Sequence, residues 1–133
     1  MKTSTLLLFS LVAILHSANA QPITASQLMG TWDQAGKSSH VPSMIFVDTA
    51  KVKFSYKGHS GTSKSYYYII KNSNVPTILT VDYKANHRKH RNEYLIQLVA
   101  NDTMKLQVLH KKDARDHFNE DNPNKIYTLV RRN

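Results

Sequence analysis

The feature that most constrains the fold of this chain is a succession of short runs in which apolar and polar residues alternate, each ended by turn-forming residues. In 51–57, Val52, Phe54 and Tyr56 fall on one side, and Lys51, Lys53, Ser55 and Lys57 fall on the other. In 103–109, Met104, Leu106 and Val108 oppose Lys105, Gln107 and Leu109. Leu79, Val81 and Tyr83 oppose Thr80 and Asp82. A period of two is the signature of a strand with one buried face, because successive side chains leave a strand on opposite sides. Read this way, the strands are 30–34, 43–48, 51–57, 66–71, 77–83, 93–100, 103–109 and 126–131.

The connections are short and rich in turn formers, as in Asp48-Thr49-Ala50-Lys51, Gly58-His59-Ser60-Gly61, Asn72-Ser73-Asn74-Val75-Pro76 and Ala100-Asn101-Asp102-Thr103. Short links between consecutive strands make antiparallel neighbours. Roughly eight antiparallel strands, each with one apolar face, can close on themselves and leave no exposed edge. The expected fold is therefore all-β: an up-and-down barrel of about eight strands, closed or half-open. Two segments depart from the pattern. Residues 26–29 suit one helical turn capped by Ser26. Residues 110–125 are long and polar, and 113–120 suits either a short helix with Phe118 docked on the barrel or a mobile flap.

Nothing divides the chain into two domains, and it contains no repeat. Its N-terminus reads differently from the rest. Lys2 is followed by an apolar run from Leu6 to Leu15, broken only by Ser10, and then by Ser17-Ala18-Asn19-Ala20. A basic start, a short apolar core and small residues before a break make a cleavable secretory signal. The run is too short for a membrane span, which needs about 20 apolar residues. The expectation is an exported protein, secreted or periplasmic, whose mature domain is 21–133. That domain has no cysteine, so its stability must come from a closed core rather than disulfides. Removing Lys2 from a chain of formal charge +9 leaves it strongly basic. Such a balance attracts polyanions. Outside the cytoplasm these are anionic polymers and lipid headgroups, and no nucleic-acid partner is expected.

The segment Leu28-Met29-Gly30-Thr31-Trp32 places Gly-x-Trp on the first strand, and the chain closes with Ile126-Tyr127-Thr128-Leu129-Val130-Arg131 after the polar Glu120-Asp121-Asn122-Pro123. With these features the mature chain resembles the small exported lipocalin-like proteins of bacteria. The resemblance implies that Trp32 closes one end of the barrel beneath an arginine of the last strand, Arg131 or Arg132. A guanidinium over an indole face is a favourable pairing. The chain is shorter than a typical lipocalin and lacks its disulfides.

Evidence for catalysis is absent from the motifs. There is no Gly-x-Ser-x-Gly, no cysteine nucleophile and no paired-carboxylate motif, and the chain is not expected to be an enzyme. No cofactor or metal is expected either. His87 and His90 stand three apart, but Arg88, Lys89 and Arg91 around them would repel a divalent cation. Two sets of residues remain. Tyr56, Tyr66, Tyr68, Tyr83 and Tyr94 fall on inward-facing positions with Trp32, Phe46 and Phe54. They make either a packed core or a pocket with polar handles at the barrel mouth, holding a small, mostly apolar ligand. Lys84, His87, Arg88, Lys89, His90 and Arg91 form a basic hairpin loop suited to an anionic polymer or membrane surface. The expected state is a monomer.

Overall fold

A computed structural model describes residues 21–36, 42–56, 63–71 and 75–133. The signal read in residues 1–20 lies outside the described residues, as do Lys57 of the third run, the turn at 58–61 and residues 72–74 of the turn before Pro76. The described chain is a helical turn and eight strands: α1 (Ala25–Leu28), β1 (Gly30–Gln34), β2 (Ser43–Phe46), β3 (Lys51–Ser55), β4 (Tyr66–Lys71), β5 (Thr77–Ala85), β6 (Arg88–Ala100), β7 (Thr103–Leu109) and β8 (Ile126–Arg131). Each strand pairs antiparallel with the next. β8 then returns to β1 through Trp32↔Arg131, Asp33↔Val130 and Gln34↔Leu129, which closes the barrel.

Alternation along the strands builds the core. Met44 and Phe46 of β2, Val52 and Phe54 of β3, Tyr68 of β4 and Leu79 and Val81 of β5 all point inward and are buried. Tyr94, Ile96, Met104, Leu106 and Leu129 complete the filling from β6, β7 and β8. Trp32 lies at one end, wholly buried, with Ile23 and Leu28 packed against the same cluster. The N-terminal turn therefore plugs that end of the barrel.

Several boundaries differ from the pattern reading. β2 stops at Phe46 because Asp48 turns its carboxylate onto the backbone, with Oδ1 accepting from Ala50 N–H at 2.8 Å and Lys51 N–H at 2.7 Å. The helical turn is capped by Thr24, and Ser26 lies within it. The Thr24 N–H donates to Gln27 Oε1 at 2.8 Å, half of a capping box. The largest correction concerns 84–91. These residues are not a loop, since β5 runs to Ala85 and β6 begins at Arg88. Only Asn86 and His87 turn, with φ of 50° and 63°. Positive φ at both central residues is the geometry of a tight two-residue hairpin turn, and Asn tolerates it well.

Residues 110–125 contain no helix over 113–120; a single 3-10 turn forms at Pro123–Lys125. The segment lies against the outer face of β6 and β7. The Asn119 N–H donates to Gln107 Oε1 at 2.8 Å, Arg115 pairs with Glu93 at 2.6 Å, and Lys105 stands 4.5 Å over the Phe118 ring. Phe118 is buried, and so are Leu95 and Gln107, which share an outward-facing register position. A second, smaller apolar layer thus sits outside the barrel.

Candidate functional site

The barrel has two unlike ends. At the Trp32 end the large side chains are held by polar contacts. Trp32 Nε1 donates to the Leu28 carbonyl at 2.8 Å, and the Arg131 guanidinium stands 4.4 Å from the Trp32 ring centre. Arg131 also donates to the carbonyls of Met29 and Gln27. Gly30 has φ of 108°, and a Cβ there would come 3.6 Å from the Arg131 guanidinium. A residue with free access to positive φ suits the position for that reason. Of the two arginines the resemblance left open, Arg131 covers Trp32, and Arg132 instead pairs with Asp33 at 2.7 Å. This end is a plug.

At the other end the hairpin of β5 and β6 runs on past the last β4–β5 pair, Tyr67↔Asp82. The pairing of β3 with β4 is short there, with Lys51↔Tyr67 and Val52↔Tyr66 as its register. Between the overhanging hairpin and the start of β4 lies an open groove of about 750 Å³. Its walls are Lys64, Ser65, Tyr66 and Tyr67 from the β4 side, Asp82, Tyr83 and Lys84 from β5, and Lys89, His90 and Arg91 from β6.

A line of rings leads out of the core into this groove. Phe54 and Tyr66 lie 6.0 Å apart, Tyr66 and Tyr83 meet edge to face at 6.0 Å, and Tyr83 stacks on His90 at 5.2 Å. The last pair follows from the ladder, where Tyr83 and His90 are direct neighbours across the hairpin. Cross-strand aromatic pairs of this kind hold the flanking backbone in place.

The charges are set by the same register. Asp82 faces Arg91, which donates to it twice, from Nε at 2.7 Å and from the second guanidinium arm at 3.0 Å. That bond, before any burial effect, holds the Asp82 carboxyl below its usual range. Lys84 faces Lys89 directly, and no ion-pair partner for either occurs among the described residues. Two like charges opposite each other are mutually destabilising until something anionic stands between them.

The structure thus brings together residues that the sequence assigned to two different tasks. Tyr66 and Tyr83 share one groove with Lys84, Lys89, His90 and Arg91. The other three tyrosines do not line it. Tyr68 is buried below, edge-on to Phe46 at 5.1 Å, and its hydroxyl donates to the Asp48 carbonyl at 3.1 Å. Tyr94 is buried too. Burial raises the pKa of both phenols, and the neighbouring Tyr56 and Tyr83 add to the effect at Tyr94. Tyr56 is a correction: it is 53% exposed, since β3 ends one residue before it. His87 and Arg88 stand exposed at the hairpin tip, away from the groove walls. Lys64, Ser65, Tyr67 and Asp82 line the groove without having been singled out as site residues in the sequence. Asp82 alone left a signal, as a lone acid on an outward strand position facing a basic run.

A second cavity of about 370 Å³ lies within the outer segment, between Lys112 and Asp121. Two of its carboxylates are paired, Asp113 with Lys125 at 3.8 Å and Glu120 with Lys105 at 2.5 Å. Among the described residues, no three of His, Cys, Asp or Glu converge as metal ligands. No described helix is long and apolar enough to cross a membrane.

No family model, curated protein or solved structure matches the chain.

Proposed function

We propose that this is an exported lipocalin-like binding protein, which holds a small, mostly apolar ligand at the open mouth of its barrel. The observation that carries the reading is the 750 Å³ groove whose floor is the ring series Tyr66, Tyr83 and His90. Its size falls in the usual range for small-molecule sites, and its wall combines ring faces with a few placed polar groups. The interior beneath is filled by Phe54, Tyr68 and Tyr94, so the ligand lies in the mouth rather than deep in a calyx. The lipocalin resemblance, carried by Gly30-Thr31-Trp32 and the Arg131 cover, agrees with a closed end opposite an open one. Export rests on the N-terminal apolar run, and no catalytic group is assigned.

The test is a thermal-shift screen of residues 21–133 against fatty acids, sterols and small aromatics, at low and high salt. A ligand that binds only the folded barrel raises its stability by mass action, by about 2.7 kcal/mol at a hundredfold excess over Kd. The expected result is a shift with one apolar class that survives salt and disappears in Tyr83→Ala and Tyr66→Ala. A shift that persists in both variants, or none with any compound, rejects the mouth as the site.

A further inference from the structure

One face of the barrel is apolar where it meets solvent. On β4 the outward positions are Tyr67, Ile69 and Lys71, and the first two are 65% and 57% exposed. Val47, just past the end of β2, is 44% exposed. Between them on β3 stand Lys51 and Lys53, whose inward neighbours Val52 and Phe54 are buried. The register ties the patch together, with Lys51 facing Tyr67 and Lys53 facing Ile45. Lys51 Nζ lies 5.8 Å from the Tyr67 ring centre.

The carboxylates nearby are occupied. Asp48 is held by the backbone N–H groups of its turn, Asp82 by Arg91, and Glu93 by Arg115 at 2.6 Å with Lys71 at 4.0 Å. Neither Lys51 nor Lys53 has an ion-pair partner among the described residues. The face therefore combines exposed apolar side chains with two lysines that no described carboxylate pairs, in a chain of net charge +9.

We propose that this outer face of β2–β4 docks the protein on an anionic lipid bilayer. Contiguous exposed apolar surface marks an interaction site. Binding at the headgroup boundary draws on buried apolar area and on attraction to anionic lipids together. Tyrosine suits that boundary because its ring is apolar and its hydroxyl is wet, and lysine keeps its ammonium among headgroups while its stem lies on apolar surface. A soluble polyanion would use the lysines alone and leave Val47 and Ile69 idle. The docking face borders the groove and shares Tyr67 with it, whereas Val47, Lys51, Lys53 and Ile69 lie outside the groove walls.

Residues 21–133 contain every described strand and the whole described core, so this segment serves for the test. It is sedimented with phosphatidylcholine vesicles with and without phosphatidylglycerol, at low and high salt. Binding is expected only with the anionic lipid. It should fall about tenfold or more in Lys51→Glu/Lys53→Glu, since each lysine near an anionic surface contributes a factor of about five. In Val47→Ser/Ile69→Ser it should fall severalfold, while retention on a heparin column is unchanged. Equal binding to neutral vesicles, or wild-type vesicle binding by the Val47→Ser/Ile69→Ser variant, overturns the proposal, the latter in favour of a soluble polyanion. Concentration-dependent dimerisation that the serine variant abolishes, without vesicle binding, overturns it in favour of a second copy. Near-UV circular dichroism of each variant verifies the fold.

Discussion

At the scale of single residues, Arg131 does more than any other side chain to join the two ends of the chain. Its backbone pairs with Trp32, its guanidinium covers the indole, and its two arms reach the Met29 and Gln27 carbonyls at the end of the N-terminal turn. A planar fork meets two carbonyls and a ring at once, which a single ammonium does not. Arg131→Ala should therefore cost about 1–3 kcal/mol, from the lost ring contact and the carbonyls left without donors. Arg131→Lys should recover less than half of that. Urea midpoints measure both, and a lysine variant as stable as the parent would sink the argument. The family resemblance pointed to this pairing but left Arg131 and Arg132 open, because adjacent strand residues differ only in the face they take. The register settles which one faces Trp32.

At the scale of elements, the hairpin of β5 and β6 decides what the groove is made of. In sequence, His-Arg-Lys-His-Arg has no apolar alternation, so it reads as a loop. The ladder nonetheless continues through it, because Tyr83 and His90 stack and Asp82 and Arg91 pair, and these contacts join residues on different strands. The turn itself holds mild strain. His87 occupies a left-handed conformation that costs an L side chain about 1–2 kcal/mol and glycine almost nothing. His87→Gly creates the Asn-Gly pair that two-residue turns favour. It should raise stability by about 1 kcal/mol, read as a higher Tm by calorimetry. An unchanged or lower Tm would mean that the turn is not of this type. The outer segment at 110–125 is the opposite case: Phe118 as an anchor was legible, as a lone aromatic in a polar stretch, whereas Gln107, which accepts from the Asn119 N–H, was not.

At the scale of the whole molecule, closure removes every sheet edge, and the large rings fill the space that closure creates. Two of those rings make the fold sensitive to alkali. Burial raises the pKa of Tyr68 and Tyr94 above the ordinary 10.0. In the unfolded chain the phenols lose their protons near 10.0, while the folded chain still holds them. The native state then binds more protons, so stability falls as pH rises. Their contribution is complete below about pH 10 and is lost as pH climbs through the folded values. Urea midpoints should drop as pH rises through that window. Tyr94→Phe, which has no proton to lose, should flatten the drop; an identical slope would show that Tyr94 does not drive it.

The sequence by itself determined the class and order of the strands, which faces were apolar, and that the core had to close without disulfides. These follow from local periodicity, which a strand imposes on its own residues. Only the tertiary structure decided which end of the barrel is plugged and which is open, and that Tyr66 and Tyr83 meet Lys84 and Lys89 in one groove. It also decided that Tyr56 faces solvent and that Lys51, Lys53 and Ile69 share one outward face. The reason is physical: each of these facts depends on the register between strands and on where a ladder stops. Both are set by contacts between residues far apart in the chain, and no local pattern records them.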